Sequence, residues 1–233
     1  DVKAAALLVV GRSDAALPAP PPRQPSRDET VRIAIARDPA FGFYYADDLE
    51  ALAAAGAEPV FFDTLRDSAL PSCDGLLIGG GFPECFIEAL EANQSLRADI
   101  RRTIESGLPT YAECGGLMYL ARSLAIGGRS SRMVGAIPGD VVMRERPVGR
   151  GYVVLEETDA FPWPTAGSGR TVRAHEFHYA SLENLPTDVR CAYAVKRGHG
   201  IDGERDGVVV GNVLASFAHL RSTRERDWAA RFV

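Results

Sequence analysis

A cysteine at a predicted strand-to-helix corner is the first residue of this sequence that could do chemistry. In PTYAECGGLMYL (109–120), Cys114 follows a short apolar segment and precedes two glycines. Glycines directly after a side chain at a tight turn relieve crowding, so the pattern is typical of a nucleophile elbow with cysteine in place of serine. A helix beginning at Gly115 would also point its positive end at the sulfur and favour the thiolate. The alternative is that Cys114 is ordinary core packing, as most free cysteines are.

A glycine-rich loop is predicted to lie beside this corner. GGGFPE (79–84) follows the apolar segment GLLI (75–78). In an open α/β sheet, ligands bind at the carboxyl ends of the strands, where both loops would lie. The backbone N–H of Gly115, with an N–H from Gly80 or Gly81, is therefore a candidate oxyanion hole.

A thiolate nucleophile needs a histidine to take and return protons, and the sequence has four. His219 ends the apolar segment ASFAHL, which places it at a strand end facing the same crevice. His199 lies in the turn-like KRGHGIDG and is interpreted as a loop residue. His175 and His178 are three residues apart in a strand-like segment, so they face opposite sides and make a poor metal site. We therefore predict a Cys114–His219 pair and no metal site.

Alternating strands and helices are predicted to position these residues. The sequence predicts strands at 31–36, 58–63, 73–81 and 108–114, and helices at 45–57, 86–107 (in one or two pieces) and 116–124. Such alternation indicates a mostly parallel sheet flanked by helices. Beyond residue 130, further strands between glycine-rich turns, among them 171–182 and 208–220, predict that antiparallel strands are added to this sheet.

The composition and the amino-terminal region bound the remaining interpretation. A net charge of −5 and a pI near 5.5 argue against a nucleic-acid binder. No run reaches the ~18 apolar residues of a membrane span. Four irregularly spaced cysteines give no disulfide framework, so we expect reduced thiols and a cytoplasmic protein. Residues 17–30 are a Pro-rich linker, residues 1–16 are interpreted as the tail of a preceding domain, and 31–233 form the main domain.

Several segments together give a specific resemblance. DPAFGFYYADDLEALAAAGAEPVFFDTL, GLLIGGGFPE, PTYAECGGLMYL, HEFHYASL and ASFAHL occur in the order expected of one family. The chain resembles, over about residues 31–230, the carboxyl-terminal glutaminase domain of the cobyrinic acid a,c-diamide synthases and their hydrogenobyrinic acid counterparts. The resemblance implies a flavodoxin-like class I glutamine amidotransferase fold.

The resemblance also implies roles for particular residues. Cys114 would attack the side-chain amide of glutamine to form a thioester, and His219 would be the general base. Gly80, Gly81 and Gly115 fall where the family's oxyanion and glutamine-binding backbone lies. Many class I enzymes have His-x-Glu, but here Arg221 holds the Glu position, so the expected pair is a Cys–His dyad.

The partners implied by the resemblance lie outside the main domain. Ammonia would pass to an amino-terminal synthetase domain, where ATP and Mg activate the acetate carboxylates of a corrinoid. No GxxxxGK[ST] motif occurs in the sequence, so this domain is expected to bind no ATP or other cofactor itself.

Further polar and aromatic residues are candidates for the substrate or domain interface. Glu84 is a candidate for binding the charged end of glutamine, although a surface carboxylate there would be ordinary. Tyr44, Tyr45, His178 and Tyr179 are predicted to face the domain interface, with plain core packing as the alternative.

Three other functions remain open at this point. A cysteine hydrolase of the same fold would keep a Glu near the thiol, and Glu113 is available. An amidotransferase for another tetrapyrrole and a non-catalytic docking domain are the other two.

Overall fold

The structure is a computed structural model that describes residues 30–163, 169–222 and 228–233. The expected tail (1–16) and nearly all of the expected linker (17–30) lie outside the described residues. Within the described ranges, no helix is long and apolar enough to cross a membrane.

Strands dominate the described part of the chain. The strands are β1 (Val31–Ala36), β2 (Phe41–Phe43), β3 (Ala57–Phe62), β4 (Gly75–Ile78), β5 (Gly80–Gly81), β6 (Thr110–Glu113), β7 (Ala121–Ile126), β8 (Arg129–Arg132), β9 (Ile137–Met143), β10 (Gly149–Glu157), β11 (Thr171–His178), β12 (Ala180–Glu183), β13 (Arg190–Arg197), β14 (Arg205–Val210) and β15 (Val213–Ser216). The helices are α1 (Ala46–Ala54), α2 (Ile87–Ala92), α3 (Gln94–Glu105), α4 (Gly115–Leu120) and α5 (Trp228–Phe232), and a 3₁₀ turn spans Pro83–Phe86.

A nine-stranded sheet organises the molecule, in the order β11-β10-β13-β14-β15-β6-β4-β1-β3. The strands from β15 to β3 pair in parallel, and β14, β13, β10 and β11 add antiparallel to the other edge. If the five parallel strands are numbered by their order in the sequence, their order across the sheet from β3 to β15 is 2-1-3-4-5. This is the strand order of flavodoxin-like folds. The predicted fold class, a mostly parallel sheet with added antiparallel strands, is confirmed.

Both faces of this sheet are covered. On one face the buried core includes Leu90, Ile100 and Leu117 from α2, α3 and α4. On the other it includes Leu52 of α1 and Phe232 of α5. Apolar faces of helices buried on both sides of a parallel sheet are the arrangement that such a sheet requires.

The helix predicted at 116–124 is too long. It ends at Leu120, and Ala121 adopts an extended conformation that starts β7. Gly127 and Gly128 have positive φ angles of 58° and 82° and join β7 to β8 as a two-residue hairpin. Paired glycines with positive φ are typical of type I′ hairpins, so this dipeptide was the signal that the helix had already ended.

A second sheet was not predicted. It contains four strands in the order β12-β9-β7-β8. The segment predicted as one strand at 171–182 is divided at Tyr179, so that β11 joins the large sheet and β12 joins the small one. The predicted strand at 208–220 is likewise a hairpin of β14 and β15, turned at Gly211 and Asn212. The later strands therefore serve two sheets rather than extending one.

Candidate active site

The turn at Cys114 has the geometry of a nucleophile elbow. β6 ends at Glu113 and α4 begins at Gly115. Cys114 between them has φ 47° and ψ −98°, a backbone conformation that non-glycine residues rarely adopt. The turn is held by the Cys114 N–H, which donates to the carbonyl of Ser216 at 2.8 Å. Backbone strain of this kind is concentrated at functional sites, because the surrounding structure must support it.

Glycines make the close packing around this turn possible. A Cβ atom at Gly116 would lie 2.0 Å from the carbonyl oxygen of Ile78. A Cβ atom at Gly115 would lie 2.9 Å from the nitrogen of Gly81, and one at Gly80 would lie 2.8 Å from Cε1 of His219. The two predicted loops therefore meet backbone to backbone, as expected, and the ring of His219 rests against Gly80.

The thiol of Cys114 lies between two cavities. Its residue is only 8% exposed, yet it lines a cavity of about 370 Å³ together with His219. It also lines a cavity of about 560 Å³ that contains Glu84 and Arg144. Cys114 therefore borders both cavities. Gly81, Phe82, Cys114 and Phe177 are common to both cavities.

His219 is brought to Cys114 from more than a hundred residues away. It lies just beyond β15, whose Ser216 pairs with Glu113 of β6. The backbone of His219 is fixed by His175, whose carbonyl accepts its N–H at 2.8 Å. The two imidazole rings stack with centroids 4.9 Å apart and planes 14° from parallel. The predicted Cys114–His219 juxtaposition is therefore present at the carboxyl edge of the parallel strands.

The environment of His219 favours the imidazolium form. Burial by itself lowers the pKa of His219, but hydrogen bonds to Cys114 and Glu113, together with the charges of those groups, outweigh it and raise the pKa to about 10. Burial also lowers the pKa of the neighbouring His175, and the charge of His219 adds to that effect. One ring of the stack is therefore charged at neutral pH while the other is neutral.

Glu113 is the residue that sequence reasoning did not assign to His219. Its Oε2 lies 3.4 Å from Nδ1 of His219. Its Oε1 accepts the hydroxyl of Tyr111 and the backbone N–H of Leu220 at 2.8 Å. The available signal was its position: Tyr111 and Glu113 share one face of a buried strand, so a carboxylate there needs polar partners.

Two of the four predicted interface residues, Tyr44 and His178, line the smaller and the larger cavity and also bond to the protein backbone, so their interface role stays a prediction. The hydroxyl of Tyr44 donates to the carbonyl of Ala36 and accepts the N–H of Gly79 at 3.0 Å. His178 is 3% exposed, its Nδ1 lies 2.7 Å from the carbonyl oxygen of Ala180, and its ring stacks on Phe217 at 4.0 Å.

The other two, Tyr45 and Tyr179, line the smaller and the larger cavity respectively. The inward position of His178 follows the alternation of side chains along β11, in which His175 and Phe177 face out while Glu176 and His178 face in. His175 and His178 do lie on opposite faces, as predicted.

Exposed aromatic rings surround the mouth of the site. Phe43, Phe82 and Phe177 are 59%, 52% and 52% exposed, and all three line the smaller cavity. Phe43 packs edge-on against Phe82, with centroids 5.5 Å apart. Phe177 packs in the same way against Tyr179 at 5.7 Å. Exposed apolar rings clustered at one opening are typical of a surface that another molecule covers. We refer to Phe43, Phe82, Phe177 and Tyr179 as the aromatic rim.

Comparison with known proteins identifies relatives along most of the chain. A family model described as a CobB/CobQ-like glutamine amidotransferase domain matches residues 32–226. A Magnetococcus marinus protein named cobyrinate a,c-diamide synthase is 44% identical over 225 residues, covering 93% of this chain and 48% of that protein. A Methanosarcina acetivorans protein of the same name is 41% identical over 215 residues, covering 87% of this chain and 43% of the relative. The chain thus spans about half the length of the curated relatives that it matches.

Solved structures share the fold at much lower identity. The structure of PurLQS from Thermotoga maritima matches with a TM-score of 0.62 and 19% identity, covering 82% of this chain and 88% of that chain. The crystal structure of a putative GMP synthase subunit from Thermoplasma acidophilum matches with a TM-score of 0.61 and 18% identity, covering 88% and 92%. The family match over residues 32–226 and the relative at 44% identity agree with the geometry around Cys114, and the chain belongs to the CobB/CobQ-like glutamine amidotransferase family.

Proposed function

We propose that this chain is the glutaminase part of an ATP-dependent cobyrinate or hydrogenobyrinate a,c-diamide synthase of cobalamin biosynthesis. The observation that carries the proposal is the meeting of Cys114 and His219 at one cavity in a domain of this family. The similarity to proteins named cobyrinate a,c-diamide synthase supports the choice of acceptor.

The chemistry begins with the thiolate of Cys114 and the imidazolium of His219. The sulfur attacks the side-chain carbonyl carbon of glutamine, and the oxygen takes up the negative charge. When the tetrahedral intermediate collapses, the carbon–nitrogen bond breaks and His219 gives its proton to the departing nitrogen, which leaves as ammonia. A γ-glutamyl thioester and a neutral imidazole remain.

Hydrolysis of the thioester restores the starting state. Neutral His219 takes a proton from a water molecule as its oxygen attacks the thioester carbon. The carbon–sulfur bond then breaks, so that glutamate and the Cys114 thiolate are released beside the imidazolium. In both steps the oxyanion would accept hydrogen bonds from backbone N–H groups of Gly115 and Gly81. The close approach of these two residues supports that role.

The larger cavity is the better binding site for glutamine. At about 560 Å³ it is large enough for an amino acid, and it presents Glu84 and Arg144 beside Cys114. Burial raises the pKa of Glu84, consistent with a carboxylate in a partly desolvated position. We propose that Glu84 binds the α-ammonium group of glutamine, while the side-chain amide reaches the thiol.

Replacing Glu84 by glutamine is expected to raise the KM for glutamine roughly tenfold with little change in kcat, because a charged hydrogen bond outside the reacting atoms is lost. Steady-state glutamate release measures both parameters. Glu88→Gln is the matched control, since that side chain is 74% exposed on α2. An unchanged KM in Glu84→Gln would show that the ammonium group binds elsewhere.

The smaller cavity and the aromatic rim suit delivery of ammonia to a second domain. The relatives are about twice the length of this chain, so their remaining half has room for a synthetase domain. That domain would bind ATP and Mg and activate the corrinoid carboxylates. The aromatic rim lies where such a domain would seal the site against water.

The proposed function is tested by glutamate release from this chain alone and with the amino-terminal half of the Magnetococcus marinus relative. We expect slow release alone and roughly tenfold or more stimulation with the partner, ATP and a corrinoid acid, which is an ordinary magnitude for coupling between two sites. One amide should form per glutamate.

Two outcomes would contradict the proposal. Amidation of another tetrapyrrole in preference to the corrinoid would identify a different acceptor. Diazo-oxo-norleucine is a reactive analogue of glutamine that can label Cys114. If added glutamine does not slow this labelling, the chain is a different cysteine hydrolase.

A further inference from the structure

The imidazole of His219 lacks the carboxylate that follows two residues later in many class I amidotransferases. Arg221 occupies that position, and its Nε donates to Oδ2 of Asp47 at 2.8 Å. Its guanidinium also lies 4.9 Å from the ring centroid of Tyr45. Arg221 is therefore committed to an exposed contact with the start of α1, and another group must orient His219.

Glu113 has the geometry for that task. The residue is only 7% exposed, and its Oε2 lies 3.4 Å from Nδ1 of His219. The hydroxyl of Tyr111 and the N–H of Leu220 fix the other carboxylate oxygen. A buried carboxylate with two donors on one oxygen and an imidazole at the other has its orientation fixed by the fold.

We propose that Glu113 is the positioning residue for His219 and takes the place of the missing carboxylate. It accepts the proton of Nδ1, which leaves the other ring nitrogen to face the thiol of Cys114. His175 complements this contact by stacking on the face of the ring. The ring is thus held at its edge by one residue and across its face by another.

This arrangement links the orienting group to the nucleophile through one peptide bond. Glu113 ends β6 and Cys114 is the elbow that follows it. Any shift of the end of β6 would move Glu113 and Cys114 together, so both groups would keep their positions relative to each other as they face His219. In the His-x-Glu pattern, by contrast, the carboxylate moves with the histidine.

The proposal is tested by replacing Glu113 with glutamine. This substitution keeps the side-chain size and leaves an oxygen to accept hydrogen bonds from Tyr111 and Leu220. The titratable groups that face His219 are Glu113, Cys114 and His175, with Tyr45 behind His175. Removing the carboxylate charge should lower the pKa of His219 by about one unit or more in an NMR titration of the intact chain.

Kinetic measurements give a second readout, which rests on the proposed glutaminase function. We expect kcat for glutamate release to fall roughly a hundredfold while KM changes little. The alkaline limb of the pH profile should move to lower pH, because the imidazolium that protonates the leaving nitrogen is lost earlier as pH rises. Arg221→Ala is the matched control and should leave the pKa of His219 and kcat unchanged.

The outcomes separate the positioning role from the proposed function. A pKa of His219 in Glu113→Gln equal to that of the wild type would overturn the positioning role. If the wild type releases no glutamate, the proposed function fails, while the NMR titration still decides the role of Glu113.

A second variant covers the case in which Glu113→Gln does not fold. Tyr111→Phe removes one donor from the same carboxylate, which then carries more of its negative charge toward the imidazole. The pKa of His219 should therefore rise above that of the wild type. An unchanged pKa of His219 in Tyr111→Phe would also overturn the proposal.

Discussion

Cys114→Ala is expected to abolish glutamine hydrolysis, with glutamate release falling by at least about a thousandfold. Cys114 lines both cavities. The substitution removes its sulfur, which is the atom that would form the thioester. Glutamine should still bind, because the charged groups of the larger cavity are untouched. Calorimetry of glutamine binding and steady-state glutamate release measure the two effects separately.

Two comparisons make this result interpretable. Cys85→Ala is the matched control, since Cys85 is an exposed free cysteine and its loss should leave the rate unchanged. With the synthetase half present, Cys114→Ala should still support amidation from ammonium salts, because only the source of ammonia is lost. If glutamine-dependent amidation survives in Cys114→Ala, the chain acts as a docking domain rather than as the ammonia source.

Gly116→Ala is expected to destabilise the fold by about 3 kcal/mol, near the upper end of the usual cost of overpacking. The new Cβ would lie 2.0 Å from the carbonyl oxygen and 2.8 Å from the carbonyl carbon of Ile78. These are backbone atoms of a central strand, so α4 rather than a flexible side chain must move. For a domain of this size, the melting temperature should fall by roughly 6–12 °C in a thermal melt.

Gly42→Ala provides the matched control for this stability effect. The nearest heavy atom to a Cβ at Gly42 is the carbonyl oxygen of Asp38 at 3.8 Å, which is ordinary van der Waals contact. That variant should melt close to the wild type. A melting temperature of Gly116→Ala equal to that of Gly42→Ala would show that α4 is not packed tightly on β4.

The main strands and helices in the first half of the fold were predictable in order, but the short strands β2 and β5, which pair with each other outside the large sheet, were not. Each of the main elements there has a single environment. Strands such as β1 and β4 are short, apolar and buried, and the amphipathic helix α3 follows with regular spacing. The second half was harder, because strands adjacent in sequence belong to different sheets. Nothing in the local pattern around Tyr179 indicates that the chain leaves one sheet and enters another.

The part of the site that local sequence patterns encode was predicted, and the part that depends on contacts between distant elements was not. A cysteine before two glycines at a strand end is a local pattern, and so is a histidine that ends an apolar strand. The inward orientation of Tyr44 and His178 depends on the register of β11 and on the packing around Gly79, which no local pattern shows. The contact between Glu113 and His219 depends on the pairing of β6 with β15.

The amino-acid sequence by itself determined the elbow at Cys114, the glycines beside it and the alternation of strands and helices that places them at one edge. These features follow from steric limits on the backbone and from the periodicity of burial, both of which act over a few residues. Only the tertiary structure decided which carboxylate orients His219 and which aromatic rings reach the surface. Those outcomes depend on strand order and register, because contacts between residues far apart in the chain are set by how whole elements pack.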